Sequence, residues 1–308
     1  MYAPIVVFAY NRPDHLNKTL SALALNPEAI KSKLFIYIDG PKDEKGKLIN
    51  SEVETVAKKY LNGFFKETVI INSPKNKGLA QSVISGVTEV LNEFGKVIVT
   101  EDDSIADINY LSFMNDALNY YENDKRIWSV GGYTVPINIP QSYTYDFLVT
   151  QRSSSYAWGI WKDRWDKVDW EVSDYKKFHW DFKERKQFNR WGDDRASMLD
   201  DQMLGRINSW AIRFDYAMFR NGMFNIIPRY SLIKNIGHDG SGTHSKTDLS
   251  ENDPFAVKLH TDNYSFILGD VDVNEQIRKE FNKYFRVAKR NQIKRFLGNV
   301  FRSLKTNA

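Results

Sequence analysis

The sequence Lys96-Val97-Ile98-Val99-Thr100-Glu101-Asp102-Asp103 joins a short apolar run to three consecutive acids. The β-branched run follows the turn residue Gly95 and predicts a buried parallel strand. Carboxylates at the end of such a strand repel one another and lose hydration, which is costly unless a cation or a ligand rich in donors compensates. Oxygen ligands of this kind suit Mg²⁺ or Mn²⁺. A solvated acidic turn that caps the next helix is the alternative interpretation.

Strands alternate with helices through the first half of the chain, at a spacing of roughly 30 residues. The predicted strands cover 4–9, 34–38, 67–71, 97–99 and 127–130. A first helix is predicted to begin at Pro13, and three more are predicted at 48–61, 79–94 and 107–121. This alternation predicts a doubly wound, mostly parallel α/β sheet. Because ligands of such sheets bind outside the carboxyl ends of the strands, we expect the polar residues that follow the strands to meet in one crevice.

Composition is that of a globular protein, with 42% hydrophobic and 27% charged residues in a chain of 308. The absence of cysteine excludes disulfides, thiolate catalysis and zinc-cysteine sites, and it fits a reducing cytoplasm. The net charge is +4, yet residues 281–308 hold eight Lys or Arg and no acid, so the body of the chain is mildly acidic. We expect no nucleic-acid partner.

Membrane association is predicted only for the end of the chain. The N-terminus shows no basic region or cleavage site of a signal peptide, and no apolar run reaches the roughly 18 to 20 residues that span a bilayer. Apolar residues recur at helical spacing in a basic segment, at Ile293, Phe296, Leu297, Val300, Phe301 and Leu304. This amphipathic helix favours docking of residues 283–305 on an anionic membrane surface, or packing on the body or on a partner chain. The expected location is the cytoplasm, peripheral at the inner face of the membrane.

The second half of the chain is rich in tryptophan and weakly periodic. We divide the sequence into an α/β half at 1–150, a tryptophan-rich half at 151–265 and a basic helical tail at 266–308. Segments around Trp158 are expected to be short and irregular, and 198–219 is expected to form one helix that begins near Asp200 and Asp201. A Gly-rich loop is predicted at 235–244.

Several motifs, taken in their order and spacing, resemble GT-A fold glycosyltransferases, and they are closest to bacterial sugar transferases that look related to the animal N-acetylglucosaminyltransferases of complex N-glycan branching. In the first half they are Ala9-Tyr10-Asn11-Arg12-Pro13, Asp39-Gly40, Asn76-Lys77-Gly78-Leu79-Ala80 and Glu101-Asp102-Asp103. In the second half they are Ser154 to Trp161, Asp201 to Arg206, Ser209 to Phe214, Asn235-Ile236-Gly237 and Asp239 to His244. The resemblance covers roughly residues 3 to 245.

The resemblance implies roles for the first-half motifs. Asp103 would be the direct ligand of Mn²⁺ (or Mg²⁺) with Glu101 in the same acidic triplet, and Asp102 would face the ribose or a metal-bound water. The residues that fall where the family holds the nucleotide base and ribose are Ala9, Tyr10, Asn11, Arg12 and Asp39. Gly78 and Leu79 would lie where the backbone passes close to the nucleotide-sugar. A divalent ion would neutralise the diphosphate, and Arg12 would add a positive charge beside it.

The resemblance implies that the half at 1–150 binds the nucleotide-sugar and the half at 151–265 binds the acceptor. The sequence identifies the acceptor-binding residues less clearly. Inverting transfer needs a carboxylate that takes the proton of the attacking hydroxyl, and Asp201 is the first candidate, Asp200 the second. Helix capping is the alternative for both. Some relatives carry an acid directly after the tryptophan matched to Trp210, where this chain has Ala211, so Asp215 and Asp239 also stay open. Loop histidines His238 and His244, and the tryptophans Trp158, Trp161 and Trp165, are further candidates for the site, with solvated and core positions as alternatives.

The predicted function is metal-dependent transfer of a sugar, hexosyl or N-acetylhexosaminyl, from a nucleotide-diphospho-sugar to a saccharide or lipid-linked saccharide. UDP is the nucleotide that the resemblance implies, and bacterial surface polysaccharide synthesis is the expected setting. Two alternatives remain. A sugar-phosphate nucleotidyltransferase would usually be Gly-rich after the first strand, where this chain has Tyr-Asn-Arg-Pro. A non-enzymatic module that binds carbohydrate or a membrane surface would not need the acidic triplet.

Overall fold

A computed structural model of the protein describes residues 2–241, 253, 255–259 and 264–287. Its strands are β1 (Ile5–Ala9), β2 (Lys33–Ile38), β3 (Glu67–Asn72), β4 (Lys96–Glu101), β5 (Ser104–Ala106), β6 (Ile127–Gly131), β7 (Phe147–Thr150), β8 (Ala157–Trp161), β9 (Phe224–Pro228) and β10 (Ile233–Asn235). Eight of them form one sheet in the order β3-β2-β1-β4-β8-β6-β9-β7. Six strands of this sheet run in one direction, and only β8 and β7 run against it. The predicted mostly parallel α/β sheet is confirmed.

The helices lie between these strands along the chain. They are α1 (Pro13–Ala24), α2 (Glu44–Lys58), α3 (Leu79–Phe94), α4 (Tyr110–Tyr120), α5 (Lys162–Trp165), α6 (Tyr175–Trp180), α7 (Phe182–Phe188), α8 (Arg195–Met203), α9 (Trp210–Arg220) and α10 (Glu275–Tyr284). Single 3₁₀ turns occur at Ala29–Lys31 and Asn189–Trp191. The predicted helices of the first half match α1 to α4, with ends that differ by a few residues.

Helices cover both faces of the sheet because its strands are apolar on both faces. Along β1, alternate side chains enter different clusters: Ile5 and Val7 pack with α1, α2 and α4, whereas Val6 and Phe8 pack with α3 and α9. Side chains of a strand alternate between faces, so a strand buried on both sides reads as a continuous apolar run. This double burial explains why β1 and β4 could be located in the sequence as short, continuous apolar runs.

The tryptophan-rich segment contains a central strand, which corrects the expectation of irregular structure there. β8 lies between β4 and β6 and pairs antiparallel with both, with Val99 opposite Trp158 and Val130 opposite Gly159. All five residues of β8 are buried. A strand buried on both faces shows no alternation of apolar and polar residues, and Trp-Gly-Ile-Trp gave no other local signal.

The predicted single helix at 198–219 is wrong, since two helices occupy this region. α8 ends near Met203, and Gly205 follows with φ of +68°, a left-handed conformation that favours glycine and ends helices. α9 then begins after Ser209, whose side chain accepts a hydrogen bond from the Ile212 backbone N–H. Asp200 and Asp201 therefore lie in the last turn of α8, not at the start of a helix, and neither is an N-cap.

The sheet contains strands from both halves of the chain. Strands β8 and β9, which follow residue 150, join the same sheet as β1 to β4 and β6, so the division at residue 150 stays a prediction about function. Within the predicted tail, α10 is helical and packs through Phe281 against Trp191, while the amphipathic segment 293–304 lies outside the described residues. No helix in the described part of the chain is long and apolar enough to cross a bilayer.

Candidate active site

The carboxyl ends of β1 and β4 lie side by side at the point where the strand order changes direction. From β1 the chain builds outward to β2 and β3, and it then returns to place β4 on the other side of β1. In open α/β sheets, ligands bind in the crevice at such a switch point. Tyr10 to Arg12 leave β1 there, and Glu101 to Asp103 end β4 there, with Phe8 paired to Glu101 in the parallel register. The fold thus brings together two motifs of the sequence, the one at 9–13 and the acidic triplet at 101–103.

Arg12 joins the two motifs through its side chain. Its guanidinium contacts Asp102 Oδ1 and lies 2.8 Å from Asp103 Oδ2. Helix α1 fixes the acidic turn as well, because Thr19 Oγ1 donates to the Asp102 carbonyl at 2.8 Å and accepts from the Ser104 backbone N–H at 3.1 Å. Both aspartates are buried, and Arg12 is partly exposed. Two carboxylates therefore converge on one cation at the mouth of the crevice.

A loop after β10 completes the surroundings of Asp103. Asn235 Nδ2 donates to Asp103 Oδ1 at 2.9 Å, and the Ile236 backbone N–H donates to the Asp103 carbonyl at 2.8 Å. β10 reaches this position because it pairs antiparallel with β5, which follows the acids directly. A Cβ on Gly237 would lie 2.1 Å from Asp103 Oδ2 and 3.0 Å from Arg12 Nη1, so only glycine fits beside the pair.

Burial raises the pKa of two acids in the triplet, Glu101 and Asp102. Burial, and then repulsion by Asp103 and Asp102, raises the pKa of Glu101 well above its usual range. Burial raises the pKa of Asp102 to about 6, although Arg12 opposes the shift. The Arg12 cation is disfavoured by burial, but Asp102 and Asp103 outweigh this effect and raise its pKa. The cluster thus holds more negative charge than the single guanidinium balances, which is the condition under which a further cation or a proton is bound.

The donor set fits a hard divalent cation in its chemistry. The carboxylates of Asp102 and Asp103 already meet at one positive charge, and carboxylate oxygens are ligands that Mg²⁺ and Mn²⁺ prefer. Among the described residues, however, no group of three His, Asp or Glu side chains is placed to hold a metal ion. A cation that binds Asp103 Oδ2 would compete with Arg12 for that oxygen.

Asp39 links the loops that follow β2 and β3. Its carboxylate accepts three backbone hydrogen bonds, from Gly40 and Lys77 at 2.9 and 2.8 Å on Oδ1 and from Gly78 at 2.9 Å on Oδ2. Gly78 has φ of +76° and precedes α3, whose first residue Leu79 is exposed. Asp39 therefore positions the backbone at Gly78 beside the crevice, and most of its acceptor capacity is used within the protein.

The remaining residues of the first motif differ in exposure. Ala9 is buried, and its carbonyl accepts the Asp39 backbone N–H at 2.9 Å. Asn11 is exposed. Tyr10 is half-buried, its carbonyl accepts Asn50 Nδ2 at 3.0 Å, and the Lys42 ammonium lies 5.5 Å from its ring centre. Ala9 thus contributes backbone, whereas Tyr10 and Asn11 present side chains at the surface of the crevice.

Tyr156 connects the acidic turn to the second half of the chain. Its carbonyl accepts hydrogen bonds from Thr100 and Ser104, at 3.1 and 2.8 Å, on either side of the triplet. Its hydroxyl lies 3.2 Å from His238 Nε2, and His238 Nδ1 lies 2.9 Å from Asp253 Oδ1. The structure therefore places His238 near the crevice, while His244 lies outside the described residues.

A cleft of about 360 Å³ extends from Tyr156 between the sheet and α8 to α10. Its wall contains Arg152, which binds both oxygens of Asp194 at 2.8 Å and lies with its guanidinium 3.6 Å from the centre of the Phe285 ring. A Cβ on Gly192 would lie 2.3 Å from Arg152 Nη1, so the pair also depends on glycine. Other residues that line the cleft are Tyr133, Ser153, Ser154, Arg195, Asp215 and Phe255. This mixture of aromatic faces and polar groups suits a small polar ligand such as a saccharide.

Sequence reasoning did not single out Arg152, Asp194 or Phe285. Arg152 lies just before the Ser-Ser-Tyr motif, and a lone arginine there gave no signal of burial. Phe285 follows α10, more than a hundred residues away along the chain. Only the tertiary packing brings these side chains into one cleft.

The four candidate bases occupy different surroundings. Asp200 is fully buried and binds Arg185 at two points, and Asp215 is held by Arg195 and Ser153. Asp201 is partly exposed at the end of α8 and pairs with Arg206. Asp239 is exposed, two residues after Gly237, and lies 3.1 Å from His15 Nε2 on α1. The structure thus places Asp239 against α1 in the loop that follows Gly237, while Asp200 forms an ion pair in the interior.

The tryptophans expected in the acceptor site lie in the core. Trp158, Trp161 and Trp165 are 1, 2 and 3% exposed. Trp158 stacks on Trp165 with ring centres 5.8 Å apart and packs against Trp210 at 4.9 Å. Trp158 and Trp165 are buried beneath α3 and α9, whereas Trp161 is buried on the other face of the sheet and donates to the Leu118 carbonyl of α4 at 3.0 Å. The aromatic residues of the cleft are tyrosines and phenylalanines instead.

Two of the solved structures that the chain resembles are remote likenesses. No protein-family profile and no curated protein matches the chain. The chain is similar to TarS of S. aureus at 11% identity and a TM-score of 0.41, over 78% of this chain and 37% of TarS. It is similar to the galactosyltransferase LgtC, solved with donor and acceptor sugar analogues, at 12% identity and a TM-score of 0.37, over 72% of each chain. Likenesses this remote carry no argument about activity, which has to be inferred from the site.

Proposed function

We propose that this protein is a glycosyltransferase of the GT-A type that uses a nucleotide-diphospho-sugar, with UDP as the nucleotide. The observation that supports it most is the convergence of Asp102 and Asp103 on Arg12 at the switch point of a doubly wound sheet. The order of the sequence motifs, which resembles that family, agrees with this position. The transferred sugar is proposed to be a hexose or an N-acetylhexosamine.

The donor would lie along the crevice between β1 and β4. In this proposal the base and ribose contact Ala9, Tyr10, Asn11 and Asp39, and Asp102 faces the ribose. The backbone at Gly78 and Leu79 passes close to the nucleotide-sugar. The exposed positions of Asn11 and Leu79 and the half-buried position of Tyr10 agree with contact to a ligand, and two of the hydrogen bonds of Asp39 fix the loop at Gly78.

Mn²⁺ or Mg²⁺ is proposed to bind Asp103 and Glu101, where it would neutralise charge on the diphosphate leaving group. Arg12 would contact the diphosphate from the other side, since a guanidinium binds phosphate oxygens at two points. The Gly237 loop closes over Asp103 and limits access of water. These residues hold and orient the leaving group, which is the requirement for breaking the bond to the anomeric carbon.

The acceptor is proposed to be a saccharide or lipid-linked saccharide that enters through the cleft beside Tyr156. Asp201 is the proposed base that takes the proton from the attacking hydroxyl in an inverting reaction, and Asp239 is the alternative because of its position beside the acidic cluster. The setting would be bacterial surface polysaccharide synthesis in the cytoplasm, with the basic segment 283–305 on an anionic membrane surface.

A thermal-shift titration tests the donor. The protein is melted with UDP, GDP, CMP and dTDP, each with and without Mn²⁺. A ligand at 100 times its dissociation constant stabilises the native state by about 2.7 kcal/mol, which is readily measured. We expect a Mn²⁺-dependent rise with UDP that Asp103→Asn abolishes and Asp116→Asn retains, since Asp116 lies exposed on α4.

Product analysis then separates the enzyme classes. A glycosyltransferase releases UDP from a UDP-sugar, whereas a nucleotidyltransferase forms the UDP-sugar from UTP and a sugar phosphate with release of pyrophosphate. Release of pyrophosphate would show that the protein is a nucleotidyltransferase and would overturn the proposed sugar transfer. A protein that no nucleotide stabilises would be a binding module, and the acidic triplet would then be an ordinary turn.

A further inference from the structure

Arg12 lies where a divalent cation would have to bind. Its guanidinium contacts Asp102 and is 2.8 Å from Asp103 Oδ2, and the other oxygen of Asp103 accepts Asn235 Nδ2 at 2.9 Å. Both oxygens of Asp103 therefore already have donors. Among the described residues, Arg12 is the one basic side chain in ion-pair contact with either aspartate.

The surrounding backbone is built around this arrangement. Gly237 approaches so closely that a Cβ would meet both Asp103 Oδ2 and Arg12 Nη1. Thr19 fixes the acidic turn from α1, the helix that Arg12 precedes directly, so the arginine and the acids are held by the same helix. The ion pair is thus closely enclosed by the backbone of the site.

We propose that Arg12 is the resident counter-cation of the acidic cluster and competes with a divalent cation for Asp103. On donor binding the guanidinium would move from the carboxylates to the diphosphate, and the divalent cation would take its place at Asp103. This exchange of cations is favourable only when the donor diphosphate and the divalent cation bind together. Each positive charge in a buried site needs a negative partner. The inference rests on the proposed function for its ligands, but it makes a prediction that needs no nucleotide.

The test is Mn²⁺ binding to the nucleotide-free protein, followed by the electron paramagnetic resonance signal of free Mn²⁺. Arg12→Gln removes the competing charge, so its dissociation constant for Mn²⁺ should fall at least about tenfold below that of the unmodified protein, a factor that corresponds to about 1.4 kcal/mol. Arg12→Lys keeps the charge and should bind Mn²⁺ as weakly as the unmodified protein. Arg126→Gln is the matched control, since Arg126 forms an exposed ion pair with Asp124 and its loss changes the net charge equally.

Equal affinity in Arg12→Gln and the unmodified protein would overturn the proposal, and so would weaker binding, which would show that Arg12 only shapes the site. Should Arg12→Gln fail to fold, Arg12→Gln combined with Asp102→Asn removes one charge of each sign and leaves Asp103 and Glu101. This double variant should still bind Mn²⁺ more tightly than the unmodified protein, and unchanged or weaker binding would again overturn the proposal.

The outcomes separate this inference from the proposed function. Tighter Mn²⁺ binding in Arg12→Gln without any nucleotide-dependent shift in melting temperature would support the exchange of cations and reject the transferase. A Mn²⁺-dependent shift with UDP in the unmodified protein, together with unchanged Mn²⁺ affinity in Arg12→Gln, would support the transferase and reject the competition.

Discussion

Arg185 and Asp200 form a two-point ion pair inside the second half of the protein. The guanidinium Nη1 and Nη2 lie 2.9 and 2.8 Å from the two carboxylate oxygens, and Asp200 is 0% exposed. Tyr175 donates to the same carboxylate at 3.0 Å. The pair holds α7 against α8, so the role of Asp200 that the structure supports is structural.

The neighbouring acids Asp200 and Asp201 should therefore separate stability from activity. Asp200→Ala leaves a buried guanidinium without its partner and should lower the free energy of unfolding by about 3–5 kcal/mol. Asp201→Asn alters a partly exposed ion pair and should cost less than about 1 kcal/mol, while sugar transfer is lost if Asp201 is the base. Urea denaturation and product formation measure the two effects. A larger loss of stability in Asp201→Asn would contradict this assignment.

Trp158 is predicted to stabilise the core without contacting the acceptor. Trp158→Ala removes a ring that packs against Trp165, Trp210 and Phe214, and it should cost about 3–5 kcal/mol of unfolding free energy. Trp158→Phe keeps part of this packing and should cost less. In the folded fraction of Trp158→Phe the KM for acceptor should stay unchanged, whereas a selective rise in that KM would place Trp158 in the acceptor site.

Gly237 is predicted to be required for the site more than for the fold. Gly237→Ala would force Asp103 or the loop to move, because the new Cβ lies 2.1 Å from Asp103 Oδ2. We expect the nucleotide-dependent rise in melting temperature to be lost. The comparison is Gly46→Ala, within helix α2, where alanine has the higher helix propensity. Equal nucleotide binding by the two variants would show that the loop adapts freely.

Asp39 is predicted to stabilise two loops at once. Asp39→Ala leaves three backbone N–H groups without their acceptor, and we expect a loss of about 2 kcal/mol or more in unfolding free energy. Asp43 offers a matched control in the next segment, because it caps α2 through one bond to Gly46 and Asp43→Ala should cost about 1 kcal/mol. Calorimetric melting of both variants gives the comparison, and an equal loss would argue against the three-bond role.

Asp194 should make the free energy of unfolding depend on pH. Burial disfavours its carboxylate, but Arg152 outweighs burial and lowers the pKa of Asp194 below its usual value. A carboxyl group with a lowered folded-state pKa contributes stability above its unfolded pKa of about 3.9, and this contribution is lost as the pH falls through the folded pKa. Asp194→Asn should therefore be less stable than the unmodified protein by about 3 kcal/mol at pH 7. The difference should shrink below about pH 4, and a difference independent of pH would contradict the pairing.

The sequence predicted the part of the site that depends on strand order. Alternation of strands and helices predicted that the polar residues after the strands meet in one crevice, and the pairing of β1 with β4 brings Arg12 and Asp102 together there. Asn235 and Gly237 reach the same acids through the pairing of β10 with β5, about 130 residues apart, for which a sequence holds no local signal. The burial of Asp200 likewise depends on Arg185 in a separate helix.

The antiparallel strand β8 has a consequence for how the chain can be divided. A fragment ending at residue 150 would lack β8 and would leave the hydrogen-bonding edges of both β4 and β6 unpaired. Open edges of apolar strands pair with other chains, so such a fragment should aggregate. The part of the sheet that carries the acidic triplet is therefore completed only after residue 161 has been synthesised, and the triplet reaches its final environment together with the segment that connects it to the cleft beside Tyr156.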